Sequence, residues 1–145
     1  MKKVMFIGPV FAGKTTLKQA IYGEDIAYDK TQAVDFFDDV IDTPGEFIQH
    51  RYYYSSIQNL STEVDLIAFV SSATDTSQIF SPGFAHSLVK PCIGIITKVD
   101  ISSTEEIKLV EDNLKQAGVT DIFKVSSLNR DGIDALLDFL NKEED

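Results

Sequence analysis

Short apolar runs alternate along the chain with stretches whose apolar residues recur every three or four positions, and this alternation predicts a βαβ succession. Val4-Met5-Phe6-Ile7 reads as a first strand, followed by a glycine-bounded loop and a helix over 14–22 with Leu17, Ala20 and Ile21 inward; Gly23 stops that helix. Residues 24–35 are polar and irregular, and 36–41 carry strand-forming residues interrupted by Asp38 and Asp39, which predicts one or two short strands. A second helix is expected over 47–60. The nearly unbroken apolar runs at 64–71 and 91–97 read as strands covered on both faces, as in a parallel sheet. Between them the pattern gives a loop over 75–82 and a short helix over 83–88. Ser103 and Glu106 form a capping box ahead of a helical face of Ile107, Val110, Leu114 and Ala117, ended by Gly118. A last strand is expected at 122–125 and a last helix with the stripe Ile133, Leu136, Leu137 and Leu140. The fold class is α/β: an open, mostly parallel, doubly wound sheet in one domain spanning 1–145.

Composition narrows the partners. The chain has 145 residues, 43% of them hydrophobic, and a net charge of −10, a field that repels phosphate backbones and anionic lipid surfaces, so neither nucleic acid nor membrane is expected. Any polyphosphate ligand must be held by a local cluster of donors. Cys92, the only cysteine, excludes an intrachain disulfide and reads as a buried, inert thiol. The apolar start ends at Gly8 and Pro9, too short for a signal peptide or a membrane span, so the expected location is cytoplasmic.

In parallel α/β sheets ligands bind beyond the carboxyl ends of the strands, and the candidate motifs follow strands. Gly8-Pro9-Val10-Phe11-Ala12-Gly13-Lys14-Thr15 matches G-x-x-x-x-G-K-[ST] between a strand and a helix. Its glycines let backbone amides turn toward phosphates, Lys14 supplies a point charge for the β- and γ-phosphates, the Thr15 hydroxyl is a Mg²⁺ ligand, and Thr16 belongs to the same helix start. This makes the fold a compact P-loop NTPase. Pro9, Val10 and Phe11 stiffen the loop and leave little room for a partner's arginine. Asp42-Thr43-Pro44-Gly45-Glu46 fits D-x-x-G, in which Asp42 holds Mg²⁺ through water and Gly45 offers its amide to the γ-phosphate. Thr31, in Lys30-Thr31-Gln32, is either a second hydroxyl for Mg²⁺ or a solvated loop residue.

At these residues the chain resembles the Era-like and Ras-like GTPases, and more narrowly the EutP/PduV family of ethanolamine and propanediol utilisation. The matching pieces are Gly8 to Thr16, Lys30-Thr31-Gln32-Ala33-Val34 and Ile41-Asp42-Thr43-Pro44-Gly45-Glu46. The resemblance implies a G-domain-like accessory protein encoded with bacterial microcompartment enzymes, with shell or enzyme proteins as partners, and it strengthens Thr31 as a metal ligand. Glu46 stands where many such GTPases place a glutamine that orients the attacking water. A carboxylate beside a triphosphate is repelled, which predicts slow hydrolysis. A solvated Glu46 is the competing reading. Arg51, ahead of Arg130, is the candidate arginine finger in cis.

Thr97-Lys98-Val99-Asp100 resembles the base-reading N-K-x-D with Thr for Asn. Asp100 can accept from N1–H and the 2-amino group of guanine, and the Lys98 stem can lie across the purine. Ser126-Ser127-Leu128 occupies the place of the S-A-x loop whose amide meets the guanine oxygen. Tyr52, Tyr53 and Tyr54 read as a helix packing its tyrosines on the sheet, with a docking patch as the alternative; His50 and His86 have no ligand partners at metal spacing. The leading expectation is a domain that binds GTP or GDP with Mg²⁺ and hydrolyses GTP slowly. ATP is the alternative nucleotide, in a kinase passing its γ-phosphoryl to a small carboxylate such as acetate; a further alternative is a microcompartment-associated interaction module whose nucleotide is structural.

Overall fold

The computed structural model describes residues 2–9, 12–22, 35–37, 40–42 and 54–141. Six strands form one sheet in the order β2-β3-β1-β4-β5-β6: β1 Val4–Ile7, β2 Asp35–Phe37, β3 Val40–Asp42, β4 Leu66–Ser72, β5 Cys92–Thr97 and β6 Ile122–Lys124. Every neighbouring pair is parallel except β2 with β3, so the expected mostly parallel sheet is observed, with both short strands present as an antiparallel pair at one edge.

The side-chain period of two sorts the central strands onto two cores. Met5, Ile7, Ile67, Phe69 and Ile96 face one side, under α2 (Tyr54–Ser61) and α3 (Thr104–Ala117). Val4, Phe6, Leu66, Ala68, Val70, Ile93 and Ile95 face the other, under α1 (Lys14–Tyr22) and α4 (Ile133–Asn141). All of these strand residues are buried. That is why the runs read as unbroken apolar segments.

Helix ends follow local chemistry. The Ser103 side chain accepts from the Glu106 amide at 3.1 Å, and the Glu106 carboxylate accepts from the Ser103 amide at 2.9 Å, a complete capping box that stabilises by about 1 kcal/mol. Gly118 closes α3 at φ 102°, a left-handed conformation open to glycine without penalty. On α3 Val110, Leu114 and Ala117 are buried as expected while Ile107 is half-buried, and on α4 Leu137 is half-buried beside the buried Ile133, Leu136 and Leu140.

Some boundaries shift. The strand expected over 64–71 is observed at Leu66–Ser72, because Asp65 is exposed and its carboxylate accepts from the Lys3 amide at 3.0 Å. Of the helix expected over 47–60, Tyr54–Ser61 is observed and 47–53 lie outside the described residues. The link between β4 and β5 holds only a 3-10 turn, η1, at Phe84–Ser87. A parallel crossover is ordinarily covered by an α-helix, and here aromatic rings take that place. Phe80 stacks on Phe69 with centroids 4.5 Å apart and Phe84 lies 5.6 Å from Phe69. Polar bonds fasten this link to α3: Asn113 donates to Thr76 O at 3.0 Å, Gln78 to the Gln116 side chain at 2.8 Å, and the Gly83 amide to Gln116 O at 2.8 Å.

Candidate nucleotide site

The candidate site lies where β1, β4, β5 and β6 end. Gly8 leaves β1 so close to β4 that a Cβ on it would collide with Val70 O, which explains the first glycine of the loop. The loop turns with the Ala12 amide donating to Pro9 O at 3.2 Å, and Gly13, at φ +93°, redirects the chain into α1. The helical ladder opens with the Leu17 amide donating to Gly13 O at 2.8 Å. Amides of the preceding turn lie beyond that ladder and point along the axis toward the loop. No acidic residue stands in the first turn of α1 to compete with an anion there.

Lys14 is 6% exposed. Burial of an ammonium requires partners, and Nζ donates to Gly8 O at 2.8 Å and Pro9 O at 3.2 Å, folded back under the loop. Thr15 and Thr16 are half-buried on the first turn. Asp42 ends β3 level with Phe6 of the adjacent β1, which brings its backbone to the root of the loop. Val10, Phe11, Thr31, Gly45, Glu46 and Arg51 lie outside the described residues, as do His50, Tyr52 and Tyr53.

The donor set fits a polyphosphate: helix-start amides, one inward ammonium and a left-handed glycine whose backbone is open to close approach. A Mg²⁺ companion takes oxygen ligands, and Thr15 and Asp42 are residues of that type.

The turn Thr97-Lys98-Val99-Asp100 is joined to its neighbours on both sides. Thr97 is 2% exposed and its hydroxyl donates to Ala12 O at 2.5 Å; the Val99 amide donates to Val125 O at 3.4 Å, at the exit of β6. Lys98 is half-buried and adopts φ 59°, a sharp left-handed bend into a second 3-10 turn, η2, at Val99–Ile101, held by the Ser102 hydroxyl donating to Lys98 O at 2.9 Å. Asp100 is exposed on that turn, and among the described residues its carboxylate has no partner. Beyond β6, Ser126 is buried and its hydroxyl accepts from the Asn129 amide at 3.2 Å; Ser127 is half-buried and Leu128 is 60% exposed. Phosphate loop, Thr97–Asp100 turn and Ser126–Leu128 loop therefore meet at one end of the sheet.

Two features were not anticipated. Ser71 and Ser72 are buried at the end of β4, where Ser71 O lies 3.4 Å from the Thr97 hydroxyl and Ser72 Oγ is 2.6 Å from Thr74 Oγ1. Polar residues closing a buried parallel strand are the signal that could have found them. Arg130, a reserve candidate for an arginine finger, is engaged elsewhere: at φ 61° its guanidinium donates to Ala20 O at 2.9 Å, satisfying a carbonyl in the last turn of α1, which has no basic residue of its own. Finally, Cys92 is buried as expected, and burial pushes its thiol up to about 11, well above the ordinary range. Among the described residues no helix is long and apolar enough to cross a membrane.

Comparison with known proteins agrees with this architecture. The model of the PduV-EutP family, described as ethanolamine utilisation - propanediol utilisation, matches residues 1–142. Propanediol utilization protein PduV of Citrobacter freundii is 43% identical over 144 residues, covering 99% of this chain and 96% of that protein. A protein of Escherichia coli strain K12 named probable acetate kinase EutP is 32% identical over 143 residues, covering 97% and 89%. Among solved structures, elongation factor SelB of Methanococcus maripaludis in complex with the GTP analogue GppNHp superposes with a TM-score of 0.65 at 23% identity, over 99% of this chain and 35% of that one. That likeness establishes a P-loop GTPase fold. From the family match across 1–142 and the full-length relatives, the chain belongs to the PduV-EutP family of ethanolamine and propanediol utilisation.

Proposed function

We propose that the chain binds a nucleoside triphosphate with Mg²⁺, GTP ahead of ATP, and hydrolyses it slowly as an accessory protein of ethanolamine or propanediol utilisation. The supporting observation is the junction of β1 and α1, where a buried Lys14 ammonium is gathered under the carbonyls of Gly8 and Pro9 and the base-reading turn is hydrogen-bonded to the same loop. In this reading the helix-start amides and Lys14 hold the phosphates. Thr15, Asp42 and Thr31 hold Mg²⁺, which neutralises phosphate charge when bound. Gly45 donates to the γ-phosphate, Glu46 turns over water poorly, and Arg51 serves as the finger in cis. Lys98, Asp100 and the loop of Ser126, Ser127 and Leu128 surround the base. The protein works in the cytoplasm beside microcompartment enzymes or shell proteins, to which it signals occupancy.

Calorimetry with GTP, GDP, ATP and ADP in the presence of Mg²⁺ tests the base. Asp100→Asn is expected to weaken GTP binding by about 1–3 kcal/mol, since an amide cannot accept from both N1–H and the 2-amino group. The same variant should gain affinity for xanthosine triphosphate, whose 2-oxo group is an acceptor. ATP binding tenfold tighter than GTP would defeat this reading.

The relative named probable acetate kinase favours a second reading, phosphoryl transfer from ATP to a small carboxylate. Phosphate release measured with and without acetate, alongside acetyl phosphate formation, separates the two. No turnover in either assay leaves a structural nucleotide in an interaction module.

A further inference from the structure

We propose that Arg130 is a positioning residue for the base loop, fastening Ser126-Ser127-Leu128 to the helix whose first turn carries Lys14. The proposal rests on the nucleotide-binding reading above and gives Arg130 a task in it other than that of a finger.

The loop between β6 and α4 is braced from within. The Ser126 amide donates to Asp131 O at 2.9 Å, where the two residues form an antiparallel bridge, and the Asn129 amide donates to Ser126 Oγ at 3.2 Å. Gly132, at φ +75°, brings the chain back so close to β6 that a Cβ on it would collide with Lys124 O. A loop closed this tightly moves as one body about its two ends, so its placement over the sheet depends on an anchor outside it.

Arg130 supplies that anchor. From within the loop its guanidinium reaches a residue 110 positions away in sequence, donating to Ala20 O at 2.9 Å. Ala20 lies in the last turn of α1, where carbonyls have no amide of their own helix ahead of them and carry the negative end of its dipole. No basic residue stands in that turn to meet them. The helix is itself held fast, with Leu17, Ala20 and Ile21 buried in the core. One rigid element therefore presents Lys14 at its start and holds the base loop near its end, which fixes the span between the two halves of a nucleotide. The backbone points the same way. Arg130 adopts φ 61°, a left-handed conformation that disfavours any side chain and suits glycine. Such strain persists where the surroundings hold it, and here the guanidinium bond does so. A loop placed in advance spares the base the cost of ordering it on binding.

The test uses the full chain with Mg²⁺ and GTP, GDP or tripolyphosphate, which has no base to meet the loop. Arg130→Ala should weaken GTP and GDP about fivefold and leave tripolyphosphate unchanged. Arg130→Lys, still able to donate to Ala20 O, should restore most of that loss. Arg130→Gly should lose the same affinity yet melt above Arg130→Ala, since glycine sheds the left-handed strain. Affinity and stability then part company, which a merely structural arginine would not allow. The glycine variant also carries the measurements should the alanine variant fail to fold. In the ligand-free chain, exchange of the Ser126 and Asn129 amides should quicken about tenfold in Arg130→Ala while those of Val110 and Leu114 in α3 stay unchanged. Equal losses for GTP and tripolyphosphate overturn the proposal, as does an undiminished GTP affinity, including a variant that binds as before and only hydrolyses more slowly, the mark of a finger. Wild-type protein that binds no triphosphate overturns the proposed function instead, and the amide exchange then decides whether Arg130 holds the loop.

Discussion

Replacing Lys14 with alanine should lower the affinity for GTP and ATP alike by about a hundredfold, while the melting temperature changes little. Hydrogen bonds to a charged donor contribute about 1.5–3 kcal/mol each, and two to phosphate oxygens correspond to a loss of two orders of magnitude or more. The stability effect is small because truncation removes the costly buried charge together with its bonds to Gly8 O and Pro9 O. Lys14→Arg should not rescue, because a planar guanidinium does not fit a pocket shaped around an ammonium that is 6% exposed. Calorimetric titration of the folded variant with full wild-type affinity would remove the phosphate site from the account.

The second large effect is on the fold itself. Gly8→Ala puts a methyl group onto Val70 O in the adjacent strand, and relief requires β1 to part from β4 beside the Ile7–Phe69 pairing. Overpacking against backbone should cost about 3 kcal/mol, which for a chain of this size lowers the melting temperature by roughly 10 °C. Gly83→Ala is the control. Unlike Gly8 it has a left-handed φ, +75°, and the nearest atom to its Cβ is 3.8 Å away on His86, so its cost is the left-handed penalty of about 1 kcal/mol with no collision. Equal melting temperatures for the two variants in a thermal scan would refute the packing argument.

The doubly wound sheet was legible because its central strands are apolar on both faces, as Val4 to Ile7 and Cys92 to Ile96 are, and only a sheet sandwiched between helices buries such runs. The capping box at Ser103 and the stripe through Leu136 and Leu140 were legible for the same reason: they are local patterns. What escaped depends on contacts far apart in sequence. Phe80 and Phe84 cover the β4–β5 link without a helical period, so nothing in their spacing marks them. Asp65 falls inside an apolar run that reads as strand, yet its carboxylate accepts from the Lys3 amide. Thr97 lies 85 positions from Ala12 and Arg130 lies 110 from Ala20. Motif spacing placed Thr97 beside a base, and only the strand register turns its hydroxyl to the loop.

The solitary thiol of Cys92 turns strand β5 into a reporter of its own opening. Alkylating reagents attack the thiolate, and burial that raises the thiol to about 11 suppresses that form, so modification at neutral pH counts the moments when the strand detaches. The opposite end of the strand is Thr97, fastened to the phosphate loop. Saturating Mg²⁺ with GTP should therefore slow alkylation by the factor through which the nucleotide holds the strand in place, a chemical clock read by mass spectrometry on unlabelled wild-type protein.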